Sequence, residues 1–249
     1  MKDWLKNGAL VLLGTSAVLL MHPPAHWLTN RLAALTHNRL TAVQVEGSLW
    51  RGQAQLAVAD GRAQPTFSAL PGALQWDVAV ASQILRGRWP SISLRHENLP
   101  VPLQLSKQGD SLVWNDGSLT FPAQWLSNLG APWNTIRPEG RIAARWQVGQ
   151  SDGAFRIDVD WQDAQSALSV VRPLGQYRFT LEQTVPPILR LTLQTLQGPL
   201  RMTGTGQWSA RDGWQFKGYA EAQPAEQAAL TGLLSQMGRR EGRRYRLEI

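Results

Sequence analysis

The chain of 249 residues contains no cysteine. It therefore has no disulfide bond, no thiolate nucleophile and no cysteine-ligated metal site. Histidine is also scarce, with four in all and none after His96. The sequence contains no Walker loop, which binds nucleotide phosphates, and no His-Glu-x-x-His motif, which marks zinc proteases. It also contains no Gly-x-Ser-x-Gly elbow, which marks serine hydrolases. These absences predict a protein that is not an enzyme and needs no cofactor or metal.

Two short motifs suggest enzymatic chemistry, but their context does not support it. Gly109–Leu112 reads Gly-Asp-Ser-Leu and resembles the nucleophile block of the GDSL esterases, which need a downstream histidine as general base. Because none follows, we predict a hairpin turn here. Gly204–Ser209 resembles a dinucleotide loop, but the next residues alternate like a strand. Asp158 and Asp160 share one strand face, which we expect to be solvated.

Only one long apolar run is present, Gly8 to Met21, and lysines precede it. Cations at its start predict that residues 1–7 stay in the cytoplasm and that residues 8–27 form an inner-membrane anchor helix. Trp27 then lies at the outer interface. Prolines stand where a signal peptidase needs small residues, which favours an uncleaved anchor over a cleaved signal. We therefore expect a single-pass inner-membrane protein with most of its chain in the periplasm.

The formal net charge is +7, and most of the basic residues are arginines spread along the chain. They cluster only at the end, at Arg239, Arg240, Arg243, Arg244 and Arg246. An exported protein meets no nucleic acid, so we predict no nucleic-acid partner. Two interpretations of the cluster remain open: a solvated hairpin turn around Gly242, or a contact with an acidic partner or anionic lipid.

From Thr41 onward the apolar residues alternate with polar ones, as at Leu74–Val80, Ile142–Val148 and Leu189–Leu193. Turn signals such as Pro138–Gly140 separate these runs. Regular one-sided strands predict an all-β fold, mainly an antiparallel meander in a strongly curved or bent sheet. We predict one periplasmic β domain over residues 41–249, preceded by a short amphipathic helix or linker over residues 28–40.

A few short helices interrupt this pattern. We predict one over Pro122–Leu129 and a second over Pro224–Met237. The second carries Leu230, Leu233 and Leu234 on one stripe, which predicts a lid on the apolar face of the sheet.

Three segments together resemble the type II secretion system protein N family. Val45–Gly52 is similar to its apolar-x-Gly-Thr-Leu-Trp-x-Gly signature, with serine in place of threonine. Leu70–Trp76 and Ile84–Gly87 are similar to its Leu-Pro-x-x-Leu-x-Trp and Leu-Leu-x-Gly blocks. The segment from Trp214 to Gly238 resembles its Phe-x-Gly-x-Ala and Leu-x-x-Leu-Leu-x-x-x-Gly ending.

The resemblance implies a non-enzymatic inner-membrane accessory of the type II secretion system, supporting the export of folded proteins across the outer membrane. Its partners are then other secretion components, either the inner-membrane platform or the secretin, with no small-molecule substrate. We expect the matching residues to build the fold rather than to bind: Gly47, Leu49, Trp50, Gly52, Pro71, Leu74, Trp76, Gly87, Gly218 and Gly238.

An alternative is that the chain resembles the AsmA-like proteins, whose β groove handles lipid between the inner and outer membranes. A continuous open apolar trough favours lipid handling, whereas an apolar face closed by the helix Pro224–Met237 favours a scaffold.

Overall fold

Two compact units make up the chain, Met1–Glu97 and Asn98–Ile249, called here the N-terminal unit and the C-terminal unit. The computed structural model describes residues 23–36, 40–59, 67–79, 89–109, 111–129, 133–149, 154–183, 188–209 and 211–248. Antiparallel strands dominate both units, as the alternation predicted. The division falls in no Pro/Gly/Ser-rich linker, and the sequence therefore carried no signal for it.

In the described part of the N-terminal unit, one helix precedes a small sheet. Helix α1 (His26–Leu35) is followed by β1 (Leu40–Gly47), β2 (Arg51–Ala59), β3 (Phe67–Ala69), β4 (Leu74–Ala79) and β5 (Ser91–Arg95). The pairing order is β1–β2–β4–β5, and β3 pairs with the second half of β2. Trp76, Ala54 and Ala25 form its buried core. The predicted helix over residues 28–40 is therefore present but ends at Leu35.

The C-terminal unit contains a hairpin and a long meander. The strands are β6 (Leu103–Gln108), β7 (Ser111–Trp114), β8 (Gly117–Pro122), β9 (Pro138–Val148), β10 (Phe155–Ser166), β11 (Gly175–Gln183), β12 (Leu189–Gln197), β13 (Leu200–Ser209), β14 (Gly213–Ala222), β15 (Arg239–Glu241) and β16 (Arg244–Glu248). Strands β8 to β14 neighbour one another in chain order, which confirms the predicted meander. Strand β16 pairs with β14 and leaves β15 at the edge.

Three helical segments connect these strands. A 3-10 helix covers Ala123–Leu129, α2 covers Trp133–Ile136, and a short 3-10 turn leads into α3 (Gln227–Met237). The helices predicted at Pro122–Leu129 and Pro224–Met237 are therefore confirmed. In α3, Leu230, Leu233 and Leu234 are buried, as the predicted lid requires.

The nine-stranded sheet is one-sided, with apolar and charged residues on opposite faces of the same strands. One cross-strand row joins Ile142, Trp161 and Tyr177. A neighbouring row on the other face joins Arg145, Asp158 and Thr180. Helix α3 packs on the apolar face against a cluster that includes Tyr177, Leu193, Leu200, Met202, Ala220 and Tyr245. Burying each large side chain of this kind contributes about 1.5–3 kcal/mol, so α3 is a major source of stability.

Three local predictions are wrong. Pro138–Gly140 is not a turn but the start of β9, because the first residue of a strand tolerates proline. Leu40 is not helical but begins β1. Asp160 is not solvated: it is 5% exposed, because two arginines from the flanking strands cover its carboxylate.

The predicted anchor, residues 8–27, lies outside the described residues up to His22. Its end at Trp27 is wrong, because Pro24 forms a β-bridge with Ser48 and a separate helix, α1, begins at His26. In the part of the chain that is described, no helix combines the length and the apolar character that crossing a bilayer requires.

Candidate functional site

The first family-like segment forms the tip of the β1–β2 hairpin. The Ser48 N–H donates to the Arg51 carbonyl at 2.8 Å, and the Arg51 N–H donates to the Ser48 hydroxyl at 3.2 Å. Gly47 has φ 89°, and a β-carbon there would lie 2.5 Å from the Arg51 carbonyl oxygen. The backbone of this turn therefore requires glycine for a steric reason. We refer to Ser48–Arg51 as the tip turn.

Trp76 holds the tip turn against the sheet. Its indole N–H lies 3.1 Å from the Ser48 carbonyl and 3.2 Å from the Leu49 carbonyl, and the side chain is buried. Gly52 is its cross-strand partner, and a β-carbon on Gly52 would lie 2.5 Å from the indole. These contacts stabilise the fold and engage the indole N–H within the unit.

The glycines among the remaining family-like segments also occupy close-packed positions, whereas Pro71 is exposed. Gly72 has φ 83°, and the Pro71 carbonyl lies 3.2 Å from His96 Nε2. A β-carbon on Gly218 would lie 2.5 Å from the Thr203 carbonyl oxygen, and one on Gly238 would collide with the Arg246 carbonyl. Leu49, Trp50 and Leu74 are partly buried. Gly87 lies outside the described residues.

A polar cleft of about 590 Å³ opens beside the tip turn. Glu46, Gln53, Gln75 and Arg95 form one continuous row across β1, β2, β4 and β5. Gln53 donates to the Glu46 carboxylate at 2.9 Å, and Arg51 donates to Asp77 at 2.7 Å. Two arginines and two carboxylates line this cleft, so it carries no excess charge. It offers hydrogen bonds to an extended polar partner rather than a reactive group.

The C-terminal arginines lie on the hairpin β15–β16 around Gly242, which has φ 65°. Part of the cluster is neutralised within the unit: Arg244 pairs with Glu221 at 3.0 Å, and Arg246 pairs with Glu241 and Glu248. Arg240 donates to the Gly242 carbonyl at 3.1 Å.

Arg239 and Arg243 differ from Arg244 and Arg246. Both are exposed, and, like Arg240, neither forms an ion pair with any other residue of the described ranges. Arg239 also lies directly opposite Arg246 in the register of the two strands. Since Arg246 is already paired with Glu241 and Glu248, the charge that lacks a carboxylate partner in the described part of this hairpin is that of Arg239, Arg240 and Arg243, and it favours a negatively charged group from outside.

Sequence reasoning missed a charged network in the middle of the meander. The Arg178 guanidinium donates to both oxygens of Asp160, at 2.6 and 2.8 Å, and Arg145 donates at 3.2 Å. The Arg178 hydrogen bond holds the pKa of Asp160 below its usual value, although burial opposes the shift. Beside it, Arg156 and Thr180 lower the pKa of Asp158. Opposite charges at facing positions of neighbouring strands would have indicated this network. Which positions face each other depends on the strand register, which the sequence alone does not give.

The enzyme-like motifs assemble no catalytic group in the described structure. Gln108 pairs with Ser111, so Ser111 and Leu112 of the GDSL-like block begin β7 directly after the connection from β6, in agreement with the predicted hairpin. Gly204 and Gly206 lie inside β13, where Phe216 packs closely over them. Among the residues that the structure describes, no three histidines or carboxylates come together as metal ligands.

A family model described as Type II secretion system (T2SS), protein N matches residues 38–248. A curated relative from Klebsiella pneumoniae, named Type II secretion system protein N, is 26% identical over 254 residues, covering 97% of this chain and 92% of that protein. No solved structure matches the chain. The matched range contains every strand from β1 to β16.

Proposed function

This chain belongs to the type II secretion system protein N family, as its three sequence segments predicted, and we propose that it is a non-enzymatic accessory component of that system. It is held in the inner membrane by its N-terminal apolar segment and extends into the periplasm. It supports the export of folded proteins through contacts with other secretion components, either the inner-membrane platform or the secretin.

The observation that carries the contact proposal is the unneutralised charge on the C-terminal hairpin. Arg239 and Arg243 are exposed at the end of the nine-stranded sheet, on a hairpin whose other cations are mostly engaged within the unit. An acidic surface of a partner supplies these two guanidinium groups with the carboxylates that they lack within the described part of the unit. We therefore assign the partner contact to this hairpin, and the remaining family-like residues to the fold.

The test is charge reversal with a matched control. In a strain that lacks the gene, Arg239→Glu with Arg243→Glu should fail to restore the amount of secreted protein in the medium. The control, Arg141→Glu with Arg211→Glu, changes the net charge equally at exposed positions away from the hairpin and should restore secretion.

Two outcomes contradict the proposal. If the deletion strain secretes all its substrates at the normal level, the chain does not support secretion. If both double variants restore secretion equally while protein levels match, the contact does not lie on the hairpin.

Lipid handling is a second candidate, favoured by the part of the apolar face that α3 does not cover. Trp214 is 45% exposed, and Trp208 and Leu189, which lie in the same cross-strand row, are partly exposed. Helix α3 closes the opposite end of these strands, where Leu200 and Met202 are buried, and a closed face supports the scaffold. Lipid extracted with the purified protein, and lost in Trp214→Glu, would favour lipid handling instead.

A further inference from the structure

The chain enters the N-terminal unit at the tip turn. The Leu49 N–H donates to the Pro23 carbonyl at 2.7 Å, and Pro24 forms an antiparallel bridge with Ser48. Ala25, the next residue, is 3% exposed and packs with Trp76. The first residues that the structure describes are therefore part of the folded unit, and no free linker separates them from it.

This entry point lies at one end of the sheet. From Ala25, α1 leads towards the opposite end of β1, where the Thr36 hydroxyl accepts from the Leu40 N–H at 3.1 Å. Strands β1 and β2 run from the Leu40–Val58 pair to the Gly47–Gly52 pair at the tip. The tip turn and the point where the chain enters thus share one end of the unit, and Thr36 marks the other.

The apolar run Gly8–Met21 ends just before this point, with only His22 between Met21 and Pro23. A single intervening residue leaves no length in the sequence for a flexible linker between the apolar run and Pro23. Since the Pro23 carbonyl accepts a hydrogen bond from Leu49, the tip turn lies where the chain that follows the apolar run joins the folded unit.

The composition of the tip turn suits a membrane surface. Leu49 and Trp50 are partly exposed, and the Arg51 side chain is 82% exposed beside Asp77. Tryptophan and leucine partition favourably into the boundary between headgroups and acyl chains, and arginine binds lipid phosphate.

We propose that the tip turn Ser48–Arg51 contacts the periplasmic surface of the inner-membrane bilayer. The proposal rests on the membrane anchorage of the proposed function. It gives Leu49, Trp50 and Arg51 a role besides folding, and it means that the N-terminal unit is held directly on the bilayer instead of on a flexible stalk.

The absence of cysteine makes the test direct, because one introduced thiol can carry a single spin label. Ser48→Cys and Leu49→Cys report on the tip turn, and the second variant keeps the test available if the first misfolds. Ala69→Cys is the matched control: it is exposed and pairs with Ala57, about 17 Å along β2 from Gly52. The full chain is placed in vesicles of phosphatidylethanolamine and phosphatidylglycerol.

The measurement is the relaxation of each label by oxygen, which concentrates in lipid, against a nickel chelate, which stays in water. We expect the oxygen-to-nickel ratio to be at least three-fold higher at Ser48 and Leu49 than at Ala69. If the protein floats with the vesicles but all three labels give the same aqueous ratio, this inference alone is overturned. If the protein does not float, the anchorage and this inference both fail.

Discussion

The indole of Trp76 lies flat against Gly52 on the neighbouring strand, so that a β-carbon on Gly52 would lie 2.5 Å from Cζ2 of the ring. The C-terminal unit repeats this arrangement. Gly117 pairs with Trp146, whose ring occupies the space of a side chain there, and the Trp146 N–H donates to the Asn115 carbonyl at 3.0 Å. In each unit the tryptophan ring packs against a glycine of the neighbouring strand. Its indole N–H lies within hydrogen-bond distance of a backbone carbonyl a few residues before that glycine.

Substitution of Gly52 should therefore destabilise the N-terminal unit. In Gly52→Ala the new methyl group displaces the Trp76 ring, and overpacking of this kind costs about 1–3 kcal/mol. Urea unfolding followed by tryptophan fluorescence measures the loss. Gly232→Ala is the control, because a β-carbon there meets nothing within 4 Å and the residue lies inside α3. That variant should gain up to about 1 kcal/mol. Equal stability of the two variants would contradict the steric explanation.

Loss of the Asp160 charge should destabilise the meander and change its response to acid. Asp160→Asn leaves Arg178 and Arg145 without their carboxylate, which we expect to cost about 2–3 kcal/mol at neutral pH. Arg178 lowers the pKa of Asp160 in the folded state, so the stabilisation is present above the unfolded value of about 3.9 and is lost as pH falls through the folded pKa.

The measurement for Asp160 is the free energy of unfolding between pH 2 and pH 7. Asp160→Asn should be less stable at pH 7 and should vary less with pH below about 4 than the parent chain. Asp163→Asn is the control, because Asp163 is exposed and its φ of 49° suits asparagine. If both variants keep the acid response of the parent, the network does not stabilise the fold.

The phenol of Tyr177 should stabilise the fold at neutral pH and lose this stabilising effect at alkaline pH. Its hydroxyl lies 3.1 Å from the Leu174 carbonyl and 3.0 Å from the Leu200 carbonyl, and burial raises its pKa. Tyr177→Phe leaves these carbonyls without their donor and should cost about 1–2 kcal/mol.

A raised folded pKa means that the Tyr177 contribution is complete below the unfolded value of about 10 and declines as pH rises above it. Thermal unfolding from pH 7 to pH 11 should show a steeper alkaline loss in the parent chain than in Tyr177→Phe. The exposed Tyr219 provides the comparison, because Tyr219→Phe removes the hydroxyl of a side chain that is 43% exposed and should leave the stability at neutral pH unchanged. An identical alkaline loss in all three proteins would refute this role of burial.

Truncation of the α3 stripe should open the apolar face. Leu234 is 1% exposed in the core cluster, and Leu234→Ala should cost about 2–5 kcal/mol because it leaves a cavity. Binding of a hydrophobic dye should rise under native conditions as the helix loosens. Leu196→Ala removes the same atoms from a side chain that is 45% exposed and should change neither quantity by much. Unchanged dye binding in a destabilised Leu234→Ala would mean that α3 does not close the face.

Much of the fold could be predicted from local patterns. The alternation at Ile142–Val148 predicted a strand, and the stripe in Pro224–Met237 predicted a buried helix, because each period follows from backbone geometry within a few residues. The prediction for Pro138–Gly140 was wrong because the same residues suit a turn or the first positions of a strand. The choice between them came from pairing with Ser166 on β10.

For the candidate sites too, the sequence showed the local pattern but not the contacts between distant segments. The arginines of the C-terminal end were visible as a cluster, but their spacing did not indicate that Glu221 and Glu241 neutralise Arg244 and Arg246 while Arg239 and Arg243 remain exposed. The contact between Pro23 and Leu49 was also invisible, since it joins two segments through backbone atoms that no side-chain pattern records.

Residue order alone was sufficient for the family, the all-β class, the meander and the absence of the common enzyme motifs, because these depend on composition and on periods of a few residues. Three features could be found only in the tertiary structure. They are the burial of Asp160, the packing of Trp76 against Gly52 and the entry of the chain at the tip turn. Each depends on which strands become neighbours and in which register, and that outcome is a property of the whole sheet, since a shift of one residue would turn every side chain to the opposite face.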